Sequence, residues 1–129
     1  MSNFNFSKAS LANLNGVNPN LVKVVYRALE LTSVDFKVIE GLRTVERQKQ
    51  LVAAGKSKTM ASKHIEGRAV DLFPIGGDWN KYTDWLPVLD AMHKAGAELG
   101  VKLRFGITWT DNPKDKPAKF LDAPHVELA

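Results

Sequence analysis

At 129 residues, with 44% hydrophobic and 25% charged residues, the chain has the length of one domain and a globular composition, which excludes a disordered or low-complexity protein. It has no cysteine, so neither a disulfide framework nor a thiolate metal site is open to it. A net charge of +4 and a pI near 9.4 favour anionic partners, but the basic residues form neither a basic helix nor a recognisable nucleic-acid module, so nucleic acid is not the expected partner.

Residues 1–10 set polar groups around Phe4 and Phe6, without the basic and apolar stretches of a signal peptide. No segment approaches the ~20 apolar residues of a membrane span, so the expectation is a soluble product of the cytosol with no membrane anchor. Asn18 and Pro19 read as a cap and first-turn proline. Leu21, Val24, Val25, Ala28 and Leu31 then recur at helical spacing, predicting a helix over about 19–32. Phe36 to Glu40 is a short alternating strand candidate ending at Gly41. Thr44 caps a second helix to about Ala54, and Gly55 ends it.

Residues 55–68 lack any period and read as a loop. Ala69 to Phe73 reads as a buried strand stopped by Pro74. Tyr82 to Leu99 carries Trp85, Val88, Leu89, Met92 and Leu99 at helical spacing before Gly100, with Pro87 positioned to delay or kink its start. Val101 to Phe105 and Pro124 to Leu128 are further strand candidates, separated by a polar surface loop over 111–119. The expected fold class is α+β: a single compact domain over 1–129, with helices packed on a small, largely antiparallel sheet.

A hydrolytic zinc site needs three N or O ligands, an open position for water and a base. With no Cys and only three His, few residues qualify. His64 and Asp71 lie in Ser-Lys-His-Ile-Glu-Gly-Arg-Ala-Val-Asp, where a loop imidazole and a strand carboxylate converge if Gly67 permits a sharp turn. His125 lies in Asp-Ala-Pro-His-Val-Glu, three residues after Asp122. His93 falls mid-helix among residues that suggest no chemistry, and is left out of the site.

These motifs resemble the M15 family of zinc peptidases, whose pattern is Ser-x-His-x-x-Gly-x-Ala-x-Asp followed downstream by an acid, two residues and His-x-Glu. The pattern is met at Ser62, His64, Gly67, Ala69 and Asp71, then at Asp122, His125 and Glu127. Arg43, Gln48, Leu51, Gly55 and Ser57 resemble an upstream pattern of the phage and sporulation members. The resemblance implies Zn2+ held by His64, Asp71 and His125, with Asp122 as general base, an aspartate there being also the choice of the phage L-alanyl-D-glutamate enzymes. It also implies that Arg43 faces the active site and stabilises the oxyanion; the plainer alternative is a salt bridge to Glu40 or Glu46. For Asp122 the plainer alternative is a turn residue before Pro124. Strand alternation puts Glu127 on the face of His125, where it can orient the imidazole. Ser57 and Ser62 enter only as weak site-lining groups. Phe105-Gly106-Ile107-Thr108-Trp109 departs from the Gly-Gly-Asp-Trp run of many relatives, which leaves the role of Trp109 open.

The function implied is hydrolysis of the peptidoglycan stem peptide by a phage or prophage endolysin, at the L-alanyl-D-glutamate bond. The alternatives are a D,D-carboxypeptidase or D,D-dipeptidase of the same family, and a non-catalytic zinc-stabilised module like the Hedgehog signalling domain. The presence of Asp122 and Arg43 favours catalysis. An endolysin made as a monomer in the host cytoplasm would act on the periplasmic wall only after a membrane-permeabilising protein opened the way.

Overall fold

The computed structural model describes residues 4–57, 60 and 62–129. In chain order it places α1 (Lys8–Leu14), α2 (Pro19–Leu31), β1 (Phe36–Glu40), α3 (Val45–Ala53), β2 (Ala69–Pro74), a 3₁₀ turn (Tyr82–Trp85), α4 (Leu86–Leu99), β3 (Leu103–Phe105) and β4 (His125–Leu128). The strands form one sheet in the order β1-β2-β4-β3, and every pairing is antiparallel. This is the expected α+β architecture.

Local chemistry explains most boundaries. The Asn18 side chain accepts from Asn20 N–H, and Pro19 occupies the first turn of α2, where its missing N–H costs nothing. Thr44 Oγ1 accepts from Arg47 N–H at 3.0 Å to cap α3. Pro87 delays α4, so the turn before it is 3₁₀. Gly100 closes α4 in the left-handed region, and Val101 N–H returns to the Gly96 carbonyl at 2.9 Å. Val101 is therefore spent on the helix cap, and β3 starts at Leu103, later than the sequence pattern suggests.

One sheet face is apolar. Phe36, Val38, Leu72, Phe105 and Val126 join Leu21, Val24 and Val25 of α2 and Val88, Leu89 and Met92 of α4 in one buried cluster. Each such side chain contributes about 1.5–3 kcal/mol by leaving water. Trp85 seals one end of β2, its indole N–H donating to the Leu72 carbonyl at 2.8 Å.

The short α1 was not anticipated. Its seven residues carry too little periodicity, and its role is tertiary: Ser10 Oγ accepts from Val38 N–H at 3.0 Å and Asn13 Nδ2 donates to the Val38 carbonyl at 2.8 Å. The helix thus covers the outer edge of β1 with polar side chains, satisfying backbone groups that an edge strand would otherwise expose.

Candidate metal centre and active site

The opposite sheet face carries the polar residues. In the register, Asp71 on β2 stands between Glu40 on β1 and His125 on β4, and Arg104 on β3 stands beside Glu127 on β4. Glu40 reaches this row through a bulge after Val38. Simple alternation from Val38 would have turned Glu40 into the core; the extra residue re-aims it.

His64 arrives from the loop before β2. Its N–H donates to Ser62 Oγ at 3.2 Å, and its carbonyl accepts from Arg43 N–H at 2.9 Å and Gly67 N–H at 3.2 Å. Gly67 has φ +69°, and a Cβ there would collide with the Gly16 carbonyl, so this sharp turn requires glycine.

His64 Nε2 lies 3.0 Å from Asp71 Oδ1 and His125 Nδ1 lies 3.4 Å from the same oxygen. One ligand atom from each of the three residues falls within 4.8 Å of the others. The outer ring nitrogens have other partners: His64 Nδ1 is 2.8 Å from the Gly41 carbonyl, and His125 Nε2 is 2.8 Å from Glu127 Oε1. Both partners are acceptors, so each outer nitrogen carries the proton. In the neutral rings the inner lone pairs then point at a carboxylate oxygen, an arrangement repulsive unless a cation sits among them. Two neutral imidazoles, one carboxylate and acceptors behind both rings are the donor set of an open hydrolytic zinc site, and the residues present fit that metal.

The charges agree. Burial alone would raise the Asp71 carboxyl, but hydrogen bonds from His125 and His64 outweigh it and hold the group well below the usual carboxylate range. Burial alone would lower His125, but Asp71 and Glu127 outweigh it and push the imidazole up to about 9. The cluster draws in positive charge, whether a proton or a metal ion.

Asp122 follows the loop from Thr110 and is fixed through its backbone: its N–H donates to the Gly106 carbonyl at 2.9 Å, and its carbonyl accepts from His125 N–H at 3.1 Å. Asp122 is exposed in area yet crowded by the groove walls. That desolvation, with the charge of Asp71, pushes its carboxyl above the ordinary value against the pull of His125, His64 and Arg43. Gly106 admits this approach, since a Cβ there would meet the Asp122 carbonyl and the His125 Cβ.

Arg43 is 10% exposed and paired with Glu40, Nε to Oε1 at 2.6 Å and Nη2 to Oε2 at 2.8 Å, while Nη1 donates to Gln48 Oε1 at 2.7 Å. Its salt-bridge partner is Glu40, and the same side chain lines the groove. Gln48 is fully buried and passes the network on, its Nε2 donating to Ser57 Oγ at 2.8 Å. Ser62 Oγ lies 3.5 Å from Arg43 Nη1. Trp109 has φ +55°, a strained value for a bulky residue, and its ring lies 5.4 Å from that of His125.

These residues share an open groove of about 490 Å³, lined by Arg43, Ser57, Ser62, His64, Asp71, Trp109, Asp122, His125 and Glu127 among others. Every site residue singled out in the sequence lies here. The sequence reading gave Gln48 only a motif position, and passed over Arg104 and the Gly41 carbonyl. A buried glutamine five residues after an arginine is a weak local signal; a backbone carbonyl has none. His93, left out, packs against Phe105 on the far side of the sheet and lines a different cavity.

A sheet face that gathers two imidazoles and a carboxylate at one point, beside a second carboxylate in an open groove, has the layout of a metal-assisted hydrolase. The chain belongs to the phage L-alanyl-D-glutamate peptidase family, whose model matches residues 1–129. It is 42% identical over 134 residues to an L-alanyl-D-glutamate peptidase of Escherichia phage T5, covering 97% of this chain and 98% of that protein. It is 33% identical to an L-alanyl-D-glutamate peptidase of Listeria phage A118, matching over 99% of this chain but only 43% of that longer protein. The crystal structure of the Serratia marcescens L-Ala D-Glu endopeptidase ChiX superposes with a TM-score of 0.83 at 35% identity, covering 96% of this chain and 89% of that one.

Proposed function

We propose that this chain is a phage or prophage endolysin that hydrolyses the L-alanyl-D-glutamate bond of the peptidoglycan stem, with zinc held by His64, Asp71 and His125 and with Asp122 as general base. The observation that carries the reading is the convergence of three ligand atoms within 4.8 Å, behind which Gly41 and Glu127 already orient both rings. Zinc bound there would supply Lewis-acid polarisation of the carbonyl and of a water.

The protein's own groups do the rest. Asp122, its proton affinity raised by its surroundings, takes the proton from the attacking water and delivers it to the leaving amine. Arg43, fixed by Glu40 and Gln48, directs positive charge at the developing oxyanion. Glu127 holds the His125 Nε2 proton and so keeps Nδ1 turned inward. The groove is open, which suits an internal bond with the sugar-linked lactyl group on one side and the remaining stem on the other. Residues 1–129 act as one peptidase domain and as a monomer. Among the described residues no helix is long and apolar enough to cross a membrane. The enzyme reaches the wall from the host cytoplasm once a membrane-permeabilising protein has opened the inner membrane.

Mass spectrometry of disaccharide tetrapeptide after digestion tests the reading. A released peptide beginning with D-glutamate supports it; D-alanine as sole product would make the chain a carboxypeptidase, and no product at all would point to a binding module.

A further inference from the structure

Cleavage beside D-glutamate leaves unexplained what recognises that residue. A glutamate within a peptide spends one carboxyl on the next linkage and keeps the other, so a free carboxylate lies within a few bonds of the scissile nitrogen. Among the described residues, four cationic side chains besides the histidines line the groove: Arg43, Lys56, Lys63 and Arg104. They are not equivalent.

Arg43 is committed, with both Glu40 oxygens and the Gln48 carbonyl on its fork. Lys56 and Lys63 present point charges on flexible stems, without the planar fork that matches a carboxylate. Arg104 combines a fixed position with an open face. Its Nε donates to the Trp109 carbonyl at 3.1 Å, and its Cζ lies 5.1 Å from the centre of the Trp109 ring. Its nearest carboxylate oxygen, Glu127 Oε2, is 4.0 Å from Nη1, too far for a hydrogen bond, and Glu127 already serves His125. The Arg104 side chain is 48% exposed. The Trp109 ring that supports the guanidinium also lies 5.4 Å from the His125 ring, so one indole links the Arg104 fork to the His125 side of the groove. Trp109 takes a strained backbone conformation to hold this position, and such strain is kept where a site needs it.

We propose that Arg104 binds the free carboxylate of the D-glutamate on the leaving side of the scissile bond, and that Trp109 presents its guanidinium for that purpose. The inference rests on the L-alanyl-D-glutamate reading and adds the residue that reads the substrate. Arg104 thereby selects substrates that carry a carboxylate over those in which it has been converted to a carboxamide.

The test compares kcat/KM on two disaccharide tetrapeptides that differ only in having a free carboxylate or a carboxamide on the glutamate. Wild type should favour the carboxylate by about 10- to 100-fold, the range expected for loss of a charge-assisted, bidentate contact. R104Q should bring the ratio close to one by slowing the carboxylate substrate alone, and R104K should retain part of it. Zinc content measured on each variant registers any disturbance passed through Glu127 to His125. A purely structural role would slow both substrates equally and leave the ratio intact, which overturns the proposal. Absence of preference in wild type overturns it too, as does a ratio abolished by K63Q but kept by R104Q. If wild type cuts neither substrate between alanine and glutamate, the functional reading fails first and takes this inference with it.

Discussion

Asp71 and His125 face each other across β2 and β4, with His125 Nδ1 3.4 Å from Asp71 Oδ1, although 53 positions of sequence lie between them. The antiparallel register sets this pairing, and a one-residue slip of β4 against β2 would turn His125 to the core face and away from Asp71. His64 closes the triangle from the loop, 3.0 Å from the same oxygen.

Purified protein should contain one zinc per chain by elemental analysis. His64→Ala, Asp71→Ala and His125→Ala should each lower that content and abolish measurable peptidase activity, because a hydrolytic site with two protein ligands holds its metal poorly. Full occupancy in all three variants would remove these residues from the metal.

Asp122→Asn should keep the zinc and the fold while lowering kcat by about 10²- to 10⁴-fold, since the amide is nearly isosteric but cannot accept the water proton. Its backbone bonds to Gly106 and His125 do not depend on the carboxylate. Near wild-type turnover by a zinc-loaded variant would move the base elsewhere, with Glu127 the next carboxylate in the groove.

Chelator-treated protein should show a stability that depends on pH through His125. Folding raises this imidazole from 6.5 to about 9, so its contribution is fully present below about pH 6.5 and is lost as pH rises through about 9. Asp71 is depressed from 3.8, so its contribution is present above that value and lost as pH falls further. Melting temperature should therefore peak in the mildly acidic range and fall towards pH 9, and the alkaline fall should shrink in His125→Gln. Equal melting temperatures at pH 6 and pH 9 would contradict this account.

Gly106→Ala should destabilise the fold by about 1–3 kcal/mol, the usual cost of an added methyl where backbone is already in contact. The new Cβ meets the Asp122 carbonyl and the His125 Cβ, so the strain falls on the proposed base and a proposed metal ligand together. Activity measured well below the melting temperature should drop more than the unfolded fraction explains. A variant of native stability and native rate would show that this turn has slack.

Local chemistry settled much of this protein in advance. Leu21, Val24, Val25 and Ala28 define α2, Thr44 and Gly55 bound α3, and Phe36 to Val38 alternate as the first half of β1 does, because periodicity, caps and turn glycines act over a few residues. The proposed metal ligands were legible for a different reason: with no cysteine and three histidines, few residues could supply them, and their motif spacing matched a known pattern. Other features were decided only when distant segments met. The bulge after Val38 that brings Glu40 to Asp71, the polar cover that α1 gives β1, and the Trp109 ring held between Arg104 and His125 all depend on strand register and long-range packing. The orientation of His64 likewise rests on the Gly41 carbonyl, a group every residue possesses, which becomes a ligand support only through its place in the fold.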